Sequence, residues 1–100
     1  MTIEYIRYRI DEARRDAFVE AYREAADALH ASPHCRGYQL TQCEEEPERF
    51  IVRILWTSTD DHLGKFRSSA QFRQFFPLVR PYVGDIEEMQ HYRVLDGAAG

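Results

Sequence analysis

The sequence lacks several features that would mark particular classes of protein. Among its 100 residues are no asparagine, one lysine, one tryptophan and two cysteines. No apolar run approaches the roughly 20 residues that a membrane-spanning helix requires. The N-terminus also lacks the basic, apolar and small-residue regions of a signal peptide. We therefore expect a cytoplasmic protein that does not associate with a membrane.

Positive charge is scarce as well, with a formal net charge of −4 at pH 7. A nucleic-acid surface needs clustered positive charge to neutralise phosphates, so this balance argues against a nucleic-acid partner. The stretch YIRYR (5–9) alternates aromatic residues with arginine, as a base-stacking strand would. In an acidic chain, a strand with two different faces explains that alternation better.

The two cysteines do not predict a disulfide or a metal site. Cys35 and Cys43 would stay reduced in the cytoplasm. His30 and His34 lie nearby, but Pro33 separates them and no Cys-x-x-Cys anchors the set. The sequence therefore predicts no metal site and no metal cofactor.

Hydrophobic periodicity divides the chain into six elements. Residues 2–10 and 86–95 have strand character, and YQLTQC and FIVRILWT form a hairpin around the charged loop 44–49. An amphipathic helix runs from Asp11, a plausible N-cap, to about Ser32. A further helical region begins after Thr57 and Ser58 and resumes after Ser69. The order βαββαβ predicts an α+β, ferredoxin-like fold with a four-stranded antiparallel sheet. We expect one domain over residues 1–96, followed by a flexible tail at 97–100.

One face of such a sheet would remain uncovered by helices. The alternation places five apolar residues on it: Ile3, Tyr5, Ile51, Leu55 and Met89. This face is too apolar for a solvated surface. We therefore expect a symmetric homodimer in which two sheets pack against each other.

The chain resembles the antibiotic biosynthesis monooxygenase family over roughly residues 3–95. The resemblance rests on the βα start, the hairpin EEEPERF, the strand ending LWTS, the acidic helix entry, FRSSAQFRQF and HYRVL. It implies a dimeric α+β barrel with a cleft between sheet and helices in each protomer. Members of the family oxidise phenolic or quinol-like aromatics without metal or flavin, degrade haem, or act on small signalling metabolites.

The chain departs from this family at two places. Several members use an asparagine on the first strand to hold substrate or oxygen, and this chain has none. A histidine is common in the family where Lys65 stands, and the iron-ligating position of the haem-degrading branch aligns with Phe75. Haem degradation of that type is therefore not expected.

Candidate site residues follow from chemistry and position. Three side chains could transfer protons or activate oxygen: His91, His62 and Lys65. We expect His62 to be exposed in the first turn of its helix, and His91 to lie on the dimer face. Substrate-binding candidates are the cleft-wall aromatics, two tyrosines assigned to the helix-facing side and two arginines: Trp56, Phe72, Phe75, Tyr8, Tyr92, Arg7 and Arg53. Structural roles, as core aromatics or ion pairs, would explain the same residues.

Three functions remain open on this sequence. The first is a monooxygenase that needs no cofactor and acts on a small aromatic metabolite in the cleft. The second is a small-molecule-binding or dimerisation module that keeps the fold without the chemistry. The third, haem binding without degradation, would require His62 or His91 as an axial ligand.

Overall fold

The computed structural model describes residues 1–97, and its elements follow the predicted order. The four strands and two α-helices are β1 (Thr2–Arg9), α1 (Arg15–Ala31), β2 (Cys35–Gln42), β3 (Arg49–Trp56), α2 (Ala70–Val79) and β4 (Ile86–Arg93). A π-helical turn, Asp61–Phe66, precedes α2, and 3₁₀ segments occupy Glu12–Arg14 and Arg80–Asp85. Of the predicted tail at 97–100, all but Gly97 lies outside the described residues.

The sheet is antiparallel throughout, with the strand order β2-β3-β1-β4. Both central strands, β1 and β3, alternate buried and partly exposed residues, so one face lies under the helices. This arrangement confirms the ferredoxin-like α+β fold. No helix within residues 1–97 is long and apolar enough to cross a membrane.

Helix α1 supplies much of the core through one apolar stripe. Phe18, Tyr22, Ala25 and Leu29 recur at helical spacing and are all fully buried. The Phe18 ring packs edge-to-face on that of Tyr8 in β1, with centroids 4.8 Å apart. The prediction that Asp11 caps α1 is wrong. A 3₁₀ turn, Glu12–Arg14, separates Asp11 from α1, and the Asp11 side chain makes no capping hydrogen bond.

A β-bulge changes the facing of strand β4. Tyr8 pairs with Ile86, but Arg7 pairs with Glu88, so Glu87 is an extra residue without a partner on β1. Beyond the bulge, Met89, His91 and Arg93 pair with Ile6, Glu4 and Thr2, whose side chains lie on the helix-facing side. The predicted facings of Met89 and His91 are therefore wrong, because simple alternation from Ile86 ignores the extra residue.

The same bulge places Tyr92 on the uncovered face of the sheet. It was assigned to the helix-facing side, but its ring packs edge-to-face on Tyr5 of the uncovered face, with centroids 5.7 Å apart. The apolar residues of the uncovered face are thus Ile3, Tyr5, Ile51, Leu55 and Tyr92.

The arginines on the uncovered face have polar partners there. Arg7 lies 3.8 Å from carboxylate oxygens of both Glu87 and Glu88. Arg53 donates a hydrogen bond to Gln39 over 3.2 Å. Surface pairs of this kind contribute little stability, but they fix where these guanidinium groups point.

Candidate functional site

A cavity of about 410 Å³ lies between the sheet and the segment that runs from the π-helical turn through α2. Its walls are aromatic, and they are formed by Trp56, Phe66, Phe72, Phe75 and Phe76. Ile6 and Met89 form part of its floor on the sheet. A volume of this size and an apolar lining suit a small planar molecule.

The stretch LWTSTDDHLGKF builds one end of this cavity. The side chain of Ser58 caps the helix start by accepting a hydrogen bond from the backbone N–H of Asp61 over 3.0 Å. Thr57 donates to the Asp61 carboxylate, which helps to hold the pKa of that group at about 2. Thr57, Ser58 and Asp61 therefore serve helix initiation, as their positions predict, whereas the Asp60 side chain makes no capping hydrogen bond.

The turn that follows is wider than an α-helical turn. The backbone N–H of Arg67 bonds to the carbonyl of His62, five residues earlier, over 3.3 Å. Three side chains of this turn, those of His62, Phe66 and Arg67, consequently line the cavity together. The expectation that His62 is exposed is wrong, since only 3% of the residue is accessible.

Glu4 is the buried carboxyl group of the cavity. It is 4% exposed, and its Oε1 accepts a hydrogen bond from Trp56 Nε1 over 3.1 Å. Burial raises the pKa of this carboxyl from 4.5 to about 7, although the Trp56 hydrogen bond and the charge of Arg67 oppose the rise. At neutral pH Glu4 is thus poised between acid and base.

His62 lies between Glu4 and His91. Its ring stacks on Trp56 with centroids 4.5 Å apart, and its Nε2 is 3.4 Å from Glu4 Oε1. Its Nδ1 shares a 2.8 Å hydrogen bond with Nε2 of His91. Burial, with the charges of Arg67 and His91, lowers the pKa of His62 to about 3, so the ring is neutral at physiological pH.

Arg67 brings positive charge to the cavity. Its side chain is exposed while lining the cavity, and no carboxylate within residues 1–97 comes within 4 Å of it. Its charge lowers the pKa values of Glu4, His62 and His91. A guanidinium group with this freedom can pair with an anionic group of a bound molecule.

Two tyrosine hydroxyls meet at the inner wall of the cavity. Tyr8 and Tyr22 share a hydrogen bond of 2.5 Å within the core. Burial raises the pKa of Tyr8 to about 12 and that of Tyr22 well above its ordinary value. Both groups therefore stay protonated and act as hydrogen-bonding groups rather than bases.

The structure brings together only some of the predicted site residues. Five of them line the cavity: Trp56, Tyr8, His62, Phe72 and Phe75. His91 does not line the cavity, but it hydrogen-bonds to His62, which does. The other four lie elsewhere, because Tyr92, Arg7 and Arg53 belong to the uncovered face and Lys65 is exposed in an ion pair with Asp61 at 3.1 Å.

Sequence reasoning missed Glu4 and Arg67. A signal for Glu4 was present, since it shares strand parity with Ile6 and Tyr8 and is therefore a carboxyl on the covered face. Arg67 had no such signal, because its placement depends on the π-helical turn. Within residues 1–97 no cluster of three or more His, Cys, Asp or Glu side chains has the arrangement of a metal site.

Comparison with known proteins agrees with this architecture. An uncharacterised Bacillus subtilis protein, YczJ, is 23% identical over 84 residues, which cover 84% of this chain and 88% of that protein. A Bordetella bronchiseptica protein assigned to the antibiotic biosynthesis monooxygenases superimposes with a TM-score of 0.80 at 22% identity, covering 94% of this chain and 96% of the other.

A third similar structure is SnoaB, a cofactor-independent oxygenase from Streptomyces nogalater. The two structures superimpose with a TM-score of 0.78 at 12% identity, and the aligned residues cover 96% of this chain and 94% of SnoaB. Similarity at such low identity establishes the shared fold. The sequence profile described as "Antibiotic biosynthesis monooxygenase" matches residues 1–78, and the chain therefore belongs to the antibiotic biosynthesis monooxygenase family.

Proposed function

We propose that the protein is a cofactor-independent monooxygenase that oxidises a small phenolic or quinol-like aromatic in its cavity. The observation that carries this proposal is a single buried carboxyl group, that of Glu4, with a pKa of about 7 inside an aromatic-walled cavity. A perturbed titratable group in a cleft is a functional-site candidate on physical grounds. Family membership is consistent with oxygenase chemistry.

The chemistry needs a base and a way to stabilise an anion. In an anthrone-like phenol, ionised Glu4 takes a proton from the activated CH₂ group, and Arg67 stabilises the resulting phenolate-like anion. The carbanion bonds to O₂, and the peroxide oxygen takes the proton back from Glu4. Loss of water then breaks the O–O bond and the remaining C–H bond, so that CH₂ and O₂ become C=O and H₂O.

Oxygen uptake with a panel of quinols and anthrone-like phenols, without added metal or flavin, tests this proposal. Removal of a general base lowers turnover by about 100-fold or more, so Glu4→Gln should abolish most of the uptake. Glu24→Gln is the matched control, because Glu24 is an exposed glutamate of α1. A flat response across the panel, or full activity in the Glu4→Gln variant, would contradict the proposal.

The rival function, a non-catalytic binding module, has one observation in its favour. The chain contains no asparagine, the residue that several members of the family use on the first strand. Such a module would bind the same aromatics and quench Trp56 fluorescence without consuming oxygen. Haem ligation is less well supported, because the ring nitrogens of His62 face Glu4 and His91.

We also propose that the uncovered sheet face joins two copies of the chain. This face carries Ile3, Tyr5, Ile51, Leu55 and Tyr92, of which the first four are half-buried in the isolated chain. A patch of this character favours a self-complementary interface. Sedimentation at micromolar concentration should give a dimer, and Leu55→Asp should give a folded monomer. A monomeric wild-type protein would refute the interface.

A further inference from the structure

Three hydrogen-bonding side chains form a row that leads away from the cavity. Glu4 Oε1 lies 3.4 Å from His62 Nε2, and His62 Nδ1 lies 2.8 Å from His91 Nε2. The first separation is a contact longer than an ordinary hydrogen bond. Catalytic hydrogen bonds are often long before substrate binds and tighten in the complex.

The far end of this row opens to a second cavity. His91 is half-buried and lines a depression of about 340 Å³ together with Thr2, Ser58 and Arg93. His91 does not line the aromatic cavity, whereas Glu4 and His62 do. The row therefore connects the carboxyl of a largely apolar cavity with a more polar, more open surface.

We propose that Glu4, His62 and His91 form a proton relay that exchanges protons between the aromatic cavity and solvent. This inference rests on the proposed function, in which Glu4 must be ionised before it can act as the base. The relay carries the proton of an un-ionised Glu4 to solvent, whereas the proton taken from the substrate returns to the peroxide. The Glu4 O–H gives its proton to His62 Nε2 while His62 Nδ1–H gives its proton to His91 Nε2. His62 thereby exchanges one tautomer for the other and stays neutral. The His91 imidazolium then loses its Nδ1 proton to water in the second cavity.

The charges around the row favour this route. The titratable and charged groups around it are Tyr8 from β1, Tyr22 from α1, Arg67 from the end of the π-helical turn and Arg93 from β4. Burial and the charge of Arg67 oppose an imidazolium at His62, so a relay through tautomer exchange fits better than a stepwise charge. The same two causes lower the pKa of His91, which helps it to release its proton.

Once a bound molecule fills the aromatic cavity, Glu4 has no comparably direct alternative route through the described residues. Its Oε1 is shared between Trp56 Nε1 and His62 Nε2, and an indole N–H is a donor only, so it cannot accept the proton of Glu4. A bound aromatic would fill the cavity and exclude water from the carboxyl. The His62–His91 pair would then be the remaining connection to solvent.

The first experiment follows the His62 tautomer by ¹⁵N NMR without any substrate. When Glu4 is ionised, His62 should carry its proton on Nε2, which faces the carboxylate. When Glu4 is protonated, the proton should move to Nδ1, so the tautomer should change as the pH falls through about 7. A ring that keeps one tautomer from pH 5 to 9 would overturn the relay.

The second experiment measures how fast Glu4 exchanges protons with solvent. Trp56 reports on this exchange, because it is the single tryptophan and hydrogen-bonds to Glu4. The measurement is made without oxygen and with an aromatic of the panel filling the cavity, so that water in the cavity cannot reach Glu4. After a photoacid pH jump, the change in the remaining Trp56 fluorescence should be roughly tenfold slower or more in His91→Gln, and added imidazole should restore the rate. His30→Gln, which alters an exposed histidine, should match the wild type.

The outcomes separate the relay from the proposed function. An unchanged rate in His91→Gln would refute the relay even if the protein consumes oxygen. A slowed rate that imidazole restores would support the relay even if no substrate of the panel is oxidised. A slowed rate that imidazole does not restore would count against His91 as a proton carrier.

Discussion

Replacement of Glu4 by glutamine should change the pH dependence of stability in a defined window. Glutamine keeps the oxygen that accepts from Trp56 Nε1 and resembles the protonated acid in shape and charge. In the wild type, the folded state holds a proton on Glu4 up to pH about 7, whereas the unfolded chain releases it near 4.5. The wild type must therefore lose stability relative to the variant as the pH rises between these values.

The size of the effect follows from the pKa displacement. Moving the pKa from 4.5 to about 7 corresponds to about 3 kcal/mol, which is an upper value because it assumes no rearrangement. Below pH 4.5 the two proteins should differ only by the change in side chain. Above pH 7 to 8 the variant should be the more stable by up to that amount, and the difference should then stay constant.

The contribution of His62 to stability changes with pH in the opposite direction to that of Glu4, but this change occurs in both the wild type and the variant. Its pKa is lowered from 6.5 to about 3, so its contribution is present above pH 6.5 and lost as the pH falls towards 3. Subtracting the two stability curves removes this shared contribution to first order. The difference curve should then report Glu4.

Urea unfolding followed by far-ultraviolet circular dichroism, at a series of pH values from 4.5 to 8.5, measures the difference. Glu24→Gln is the control and should show no comparable rise between pH 4.5 and 7, since Glu24 is exposed. A difference between wild type and Glu4→Gln that does not vary with pH would refute the assignment of a raised pKa to Glu4.

Three further substitutions test separate parts of the site. Trp56→Phe removes the N–H donor of Glu4 and should raise the Glu4 pKa further above 7, as ¹³C NMR of the carboxyl would measure. Tyr8→Phe leaves the buried Tyr22 hydroxyl without its partner, so urea unfolding should show a loss of about 1 to 3 kcal/mol. Lys65→Ala should leave the affinity for aromatic ligands unchanged, since Lys65 lies outside the cavity. A lower affinity in this variant would show that Lys65 contributes to binding.

Local patterns in the sequence were sufficient to predict the fold. Phe18, Tyr22 and Leu29 recur at helical spacing, and that period depends only on neighbours along the chain. The Ser58 cap is likewise local and forms as predicted. The helix that was expected to resume after Ser69 does so, and the Ser69 side chain caps it. Because each element was identified from its own residues, their order gave the topology.

The site was less predictable because it depends on two departures from regular geometry. Periodicity assumes an α-helix after Ser58, whereas the chain forms a π-helical turn that buries His62 and directs Arg67 towards the cavity. Alternation assumes an unbroken β4, whereas the bulge at Glu87 exchanges the facings of His91 and Tyr92. The bulge has no glycine or proline at that point, and Gly64 within the π-helical turn does not by itself distinguish that turn from an α-helical one.

The bulge at Glu87 also has a consequence for how this strand can change by mutation. Glu87 is the extra residue of the bulge, so loss of its codon would leave Ile86 opposite Tyr8 and Glu88 opposite Arg7. Every residue beyond the bulge would keep its partner on β1, and His91 would still face the helices. The same site can therefore be encoded by strands of two lengths. Relatives of this chain can thus differ by one residue at this point and still present the same side chains to the cavity.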